Sequence, residues 1–406
     1  MLLATPYLLI RLGEQEYGYW MLVNTVIAFG QLFVFGSSVA TSKCIAEANA
    51  HRPQTLIAVC RSATGLSLSV GSVVSVLIVL FAIVSGLFLQ HSDGVLLTLM
   101  AAGLAFFEQL DVILSAVLKG LERFSVSSKV DAVGKCLQIG TACAVASWSS
   151  STLLLILSTY LLFGIIRVGL KVFSIKASLG FFPLPPSLVD ISSLLSISRW
   201  GWMQGLIGGA MFVVDRLLVA KVLGPAELSK FVLALTIPQQ LNATLVAAVS
   251  FVLPRVSASL SKGKEQTRTA ATKVLWLSLG ILVVGLMAVV GLNAWSQELF
   301  LFWLGRRFDP GFYAVFFNMT LAFYFLCINA PSYFFLTAIG NLRQVSWLVC
   351  SSGLIGILAV VLGAEFSGTA GASWGRVVYA VLSLSLLIPV IGLAFSHSTA
   401  PRGAAR

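Results

Sequence analysis

The 406-residue chain is 58% hydrophobic and 10% charged, with a formal net charge of +11 and a mean hydropathy of +0.96. Soluble chains carry about 25% charged residues, so a water-soluble globule is excluded and a polytopic membrane protein remains. The pI of 9.6 then reads as an orientation signal, and no nucleic-acid partner is expected.

Apolar runs of roughly 20 residues cross the hydrocarbon layer as helices, and the period-two alternation of barrel strands is absent. In chain order the runs predict spans over residues 1–10, 18–40, 56–89, 95–118, 126–146 and 152–172, then 200–223, 227–253, 274–295, 313–338, 345–362 and 370–395. The expected fold class is all-α, a polytopic helical membrane protein of about twelve transmembrane helices in two pseudo-symmetric six-helix bundles. The bundles occupy 1–180 and 199–396, with a cytoplasmic linker at 181–198 and a cytoplasmic tail at 397–406. Phe182-Pro183-Leu184-Pro185-Pro186 marks that linker, since proline cannot continue a helix. The first span is too short and reads as a truncated helix lacking its opening half. No positive n-region of a secretory signal precedes it.

Residues 12–26, LGEQEYGYWMLVNTV, return 211 positions later as 223–237, LGPAELSKFVLALTI. Leu12/Leu223, Gly13/Gly224, Glu16/Glu227, Leu22/Leu233 and Thr25/Thr236 coincide, and Trp20 meets Phe231. A second echo aligns Gly120-Leu121-Glu122-Arg123 with Gly340-Asn341-Leu342-Arg343, at an offset of 220. Two echoes in one order argue for a tandem duplication. With an even number of spans per half, the repeat is parallel. If the Leu-Gly loops face outward, the opposite loops hold most of the basic residues, among them Lys119, Arg123, Lys171, Lys176 and Arg268, while Lys230, Arg306 and Arg307 face out. That asymmetry places both termini in the cytoplasm.

The stretch LGEQEYGYW at 12–20, KGLERF at 119–124, Asp215-Arg216 ahead of Leu223-Gly224, and LPRVS at 253–257 together resemble bacterial polysaccharide transporters. These are the Wzx-type O-antigen and exopolysaccharide flippases of the multidrug/oligosaccharidyl-lipid/polysaccharide superfamily. The resemblance implies a MATE/MurJ-like, V-shaped pair of bundles in the cell inner membrane, alternating between inward-open and outward-open states. It implies an undecaprenyl-pyrophosphate-linked oligosaccharide as cargo. The implied partners are membrane lipids, H⁺ or Na⁺ as coupling ion, and polysaccharide polymerases.

A pyrophosphate headgroup bearing sugars cannot enter hydrocarbon unaided, so the path needs a wet cavity with cations. The candidates for substrate binding are Arg11, Lys135, Arg167, Arg216 and Arg376. Each has a structural alternative: Lys135 stands i,i+4 from Asp131 and could pair with it, Arg167 could snorkel to the cytoplasmic end, and Asp215 could hold Arg216. For ion coupling the candidates are Glu108, Asp111 and Asp215. Glu108 and Asp111 share one helix face at i,i+3, where two close carboxylates could bind a proton or cation; the alternative is that one pairs with an Arg across the bundle.

Gly201, Gly205 and Gly209 predict a close helix approach, and Pro238 and Pro331 predict bends that could serve as hinges. Enzyme signals are weak. Residues 371–375 fit G-x-S-x-G but start a span, without the strand-to-helix elbow that gives that pattern meaning. His51, His91 and His397 lack ligand spacing, and the six cysteines form no C-x-x-C pair and read as packing residues. Walker A and dinucleotide fingerprints are absent. No catalytic residue, metal site or cofactor is expected, and the chain is expected not to be an enzyme. The alternatives are an ion-coupled multidrug or small-cation antiporter, which would want acids to dominate its cavity, and a membrane glycosyltransferase or polymerase. The last would want a large outward loop, and the longest, around 296–312, is too short to form a domain.

Overall fold

The computed structural model describes residues 4–33, 53–86, 91–148, 152–180, 213–250, 264–305 and 308–395, with isolated residues and short pieces between them. All regular structure among the described residues is helical. The elements are α1 (Thr5–Leu32), α2 (Pro53–Ser85), α3 (Gly94–Gly120), α4 (Phe124–Trp148), α5 (Thr152–Leu179), α6 (Pro225–Val249), α7 (Lys264–Ala294), α8 (Ser296–Leu304), α9 (Pro310–Ala338), α10 (Leu342–Ser383), a 3₁₀ turn (Leu384–Leu386) and α11 (Leu387–Phe395). Residues 213–223 are also helical.

Two of these helices are broken inside. Gly13 interrupts α1 at φ 77°, ψ 170°, so the first two predicted spans are one element with two legs. Gly224 takes the same left-handed φ, 89°, between the helical stretch 213–223 and α6. The Leu-Gly echo is therefore a shared backbone turn, which glycine makes without the Cβ penalty. In α10, Ser367 and Gly368 leave helical geometry and split it into legs at 342–366 and 369–383, the latter continued by α11. Counting legs among the described residues, the elements named above give six successive helices in each repeat, with the short α8 added in the second. Among the described residues seven stretches are long and apolar enough to cross a membrane, one of them the 53 residues from Arg343 to Phe395 that contain both legs. The protein is a multi-pass membrane protein.

The second echo is real, but its register differs from the sequence alignment. After α3, the Glu122 N–H bonds Lys119 O at 3.0 Å and the Arg123 N–H bonds Leu118 O at 2.8 Å, around a left-handed Glu122 at φ 60°. After α9, Gly340 N–H bonds Thr337 O at 3.1 Å and Asn341 N–H bonds Leu336 O at 3.0 Å, around a left-handed Gly340. Both are Schellman turns. Glu122 therefore corresponds to Gly340, an offset of 218, and the matching of Gly120 with Gly340 is two residues out.

The chain forms two compact units, 1–232 and 233–406. The division falls within α6; the expected linker 181–198, Gly201, Gly205 and the tail 397–406 lie outside the described residues. The start of α6 sits on the first unit because a Cβ on Gly18 of α1 would lie 2.0 Å from Pro225 O, a contact only glycine permits. Gly209 also stands close to a neighbour, here the Leu32 side chain, as its small size predicts. In the first unit α3 is central, packed against α1, α2 and α5, and 72% of its membrane window is buried. In the second, α9 is packed between α7 and α10. Both α6 and α9 run on through Pro238 and Pro331 as helices.

The G-x-S-x-G pattern is a packing device. A Cβ on Gly371 would lie 2.0 Å from Gly363 O, and one on Gly375 would lie 2.3 Å from Val360 N. The glycines let the two legs of α10 meet backbone to backbone, and the Ser373 hydroxyl donates to Ala370 O while accepting from Asn318 Nδ2 at 2.8 Å.

Candidate functional site

Five ionisable side chains meet inside the first unit. Glu108, Asp111 and Ser115 line one face of α3 at i, i+3 and i+7, as helical spacing dictates. Arg167 and Lys171, at i,i+4 on α5, face them, and Asp131 reaches in from α4. Arg167 Nη2 donates to Glu108 Oε1, and Arg167 Nη1 lies 3.5 Å from Asp111 Oδ2. Lys171 Nζ donates to Asp111 Oδ1 at 2.6 Å, Asp131 Oδ1 at 2.5 Å and Ser115 Oγ at 2.7 Å. Gln31 of α1 joins by donating to Glu108 Oε2 at 3.5 Å. Gly134 of α4 makes room for the Arg167 stem, since a Cβ there would lie 2.5 Å from Arg167 Cδ.

Lys171 is 0% and Arg167 1% exposed. A charge at this depth is expensive unless paired and fully hydrogen-bonded, and the network supplies three carboxylates for the two cations. Glu108 and Asp111 thus share a face as expected and pair with Arg167, the alternative the sequence left open. Two sequence readings are corrected. Lys171 is a buried ion-pair member rather than a cytoplasmic loop charge, because α5 continues to Leu179 and holds it inside the helix. Asp131 pairs with Lys171 rather than with Lys135, which is exposed. Arg167 does not snorkel, because Glu108 and Asp111 hold it. Lys171 and Asp131 were missed as site residues, although the i,i+4 spacing of Arg167 and Lys171 opposite Glu108, Asp111 and Ser115 carries the signal.

The other candidates lie elsewhere. Arg11 is exposed on the first leg of α1, its guanidinium carbon 5.7 Å from the Tyr7 ring centre. Asp215 is fully buried, and its Oδ1 accepts the Arg216 N–H at 2.7 Å; Arg216 is half-buried and within electrostatic range of Tyr17. In the second unit Arg376 is 1% exposed, with its guanidinium 5.3 Å from the Phe323 ring centre, a cation–π arrangement. Among the described residues no group of His, Cys, Asp and Glu has the geometry of a metal site, and all six cysteines are free thiols.

Residues 8–311 match a family described as polysaccharide biosynthesis protein. The chain belongs to that family. As a polysaccharide biosynthesis family member it has a fold shared with solved transporters. It is similar to an inward-facing multidrug resistance MATE family transporter of the MOP superfamily, with a TM-score of 0.78 at 13% identity, covering 98% of this chain and 95% of the other. It is similar to the lipid II flippase MurJ in an inward closed conformation, with a TM-score of 0.72 at 15% identity, covering 96% and 88%. A third likeness is to a MOP superfamily transporter from Pyrococcus furiosus, with a TM-score of 0.62 at 12% identity over 96% and 91%. No curated protein matches the sequence. The family and fold bear out the resemblance read from residues 12–20, 119–124, 215–224 and 253–257.

Proposed function

We propose that this membrane transporter moves an undecaprenyl-pyrophosphate-linked oligosaccharide, an O-antigen or exopolysaccharide unit, from the cytoplasmic to the periplasmic leaflet of the bacterial inner membrane. It does so by alternating access, with both termini cytoplasmic and without covalent chemistry of its own. The observation that carries the reading is the match of residues 8–311 to a polysaccharide biosynthesis family, on a fold shared with a lipid II flippase. The pyrophosphate contacts are assigned to Arg216 and Arg376, both inside helices, because a guanidinium fork suits a phosphate. The network of Glu108, Asp111, Asp131, Arg167 and Lys171 has one carboxylate in formal excess and is the place for a coupling H⁺ or Na⁺. Polysaccharide polymerases are the natural partners of such a transporter.

The likeness to multidrug transporters favours a second reading, ion-coupled antiport of small cations. It fits less well, because Arg167 and Lys171 offset two of the three charges of Glu108, Asp111 and Asp131, whereas a cationic drug would want acids to dominate.

Arg216→Ala and Arg376→Ala are each expected to abolish complementation of a polysaccharide-export mutant, with membrane expression at wild-type level on an immunoblot. Normal export by both variants would refute the role given to these arginines.

A further inference from the structure

Within the second unit a groove of about 500 Å³ opens between α6, α7 and α9. Leu241 and Asn242 of α6, Gly285 and Ala288 of α7, and Phe323 and Cys327 of α9 are among its walls. Its lining is almost wholly apolar, and its polar members are largely occupied: Asn242 Nδ2 donates to Cys327 Sγ at 3.3 Å, and the Tyr324 hydroxyl donates to Leu282 O at 2.9 Å. The groove is continuous with the lipid-facing surface. Val284 lines it and is 62% exposed, and next to it Val283, Met287 and Val290 of α7 stand equally open. Only 17% of the α7 membrane window is buried within the protein.

The repeat gives this opening its meaning. At the 211-residue offset of the Leu-Gly turns and the 218-residue offset of the Schellman turns, Leu241, Gly285, Phe323 and Cys327 correspond to Gly30, Val74, Ala105 and Gln109 of the first unit. There the same crevice is shut. Gln109 Nε2 donates to Gly30 O at 3.2 Å, and a Cβ on Gly30 would lie 3.2 Å from Val74 and 3.5 Å from Ala105. Bulk two-chain phospholipid bathes both repeats alike and accounts poorly for an opening in one of them. A carrier with a single long chain needs one groove.

We propose that the groove between α6, α7 and α9 holds the isoprenoid chain of the lipid carrier. This assignment rests on the cargo given under Proposed function. The chain stays in contact with the apolar face of the second unit while the headgroup takes the polar path, so no part of the cargo is placed in a medium foreign to it.

The test uses the full-length chain in nanodiscs and a diazirine-bearing undecaprenyl phosphate, with cross-linked peptides mapped by mass spectrometry. Label is expected on α7 and α9, displaced by unlabelled undecaprenyl phosphate and not by the same amount of phosphatidylglycerol. Gly280→Leu, alone and with Ala288→Phe, fills the groove; a Cβ on Gly280 meets nothing within 4 Å, so the single variant is expected to fold, which its elution profile checks. Both are expected to cut the labelling at least tenfold, while Gly140→Leu on α4, equally open, leaves it unchanged. Equal displacement by phosphatidylglycerol would make the groove a general lipid site and overturn the proposal. Labelling elsewhere, indifferent to the filling variants, would overturn the groove and leave the cargo standing. No labelling anywhere would remove both.

Discussion

Lys171→Met is expected to lower the stability of the detergent-solubilised protein by about 3–5 kcal/mol, the usual cost of removing one partner from a buried ion pair. The reason is specific to this position. Lys171 is wholly buried and donates hydrogen bonds to both Asp111 Oδ1 and Asp131 Oδ1. Methionine fills the same volume but leaves three carboxylates facing Arg167 alone. The carboxylates then sit in a low-dielectric interior where mutual repulsion is weakly screened. Asp131→Asn in the same molecule removes one of them and is expected to recover part of the loss, a coupling that a double-mutant cycle measures. A thermal melt that shifts by less than the equivalent of about 1 kcal/mol in the single variant would show the network to be marginal, as exposed ion pairs are.

Gly375→Leu is expected to prevent recovery of folded protein. Its Cβ would lie 2.3 Å from Val360 N and 2.6 Å from Val360 Cα, so the obstacle is backbone and no rotamer change removes it. The two legs of α10 would have to part, taking with them the Gly363/Gly371 contact and the Ser373–Asn318 hydrogen bond. Overpacking a core with side-chain neighbours costs about 1–3 kcal/mol, and a clash against backbone lies at or beyond that upper end. Gly353→Leu, on the same helix with nothing within 4 Å, is expected to leave yield and elution profile unchanged. Size-exclusion chromatography of the two variants in parallel separates the effects; a monodisperse Gly375→Leu would contradict the packing role of this pattern.

Much of the architecture was legible because hydrophobic length is a direct consequence of bilayer thickness. The predicted span 313–338 differs from α9 by three residues at one end, and the Leu-Gly echo marked the two breaks at Gly13 and Gly224, though not their left-handed φ. The turn at Glu122 was misregistered because a Schellman motif is set by which residue goes left-handed, and a glutamate there leaves no glycine to align. Lys171 was misread for a related reason: hydropathy ended the sixth span at 172, whereas the backbone continues as helix to Leu179. The face shared by Glu108 and Asp111 could be read from spacing alone. Their partners could not, since which helix faces α3 depends on packing that periodicity does not encode. Arg216 and Arg376 were correctly placed inside helices, but Phe323 under Arg376 is a contact between α9 and α10 that only the fold supplies.

The central claim is that this chain carries a lipid-linked oligosaccharide across the bilayer. Its most direct measurement is the rate at which a fluorescent undecaprenyl-pyrophosphate oligosaccharide crosses liposomes containing the purified protein, read by protection from an impermeant quencher. The account predicts transfer well above that of empty liposomes, lost in Arg216→Ala. Transfer no faster than in empty liposomes, in vesicles that extrude a cationic dye, would contradict it.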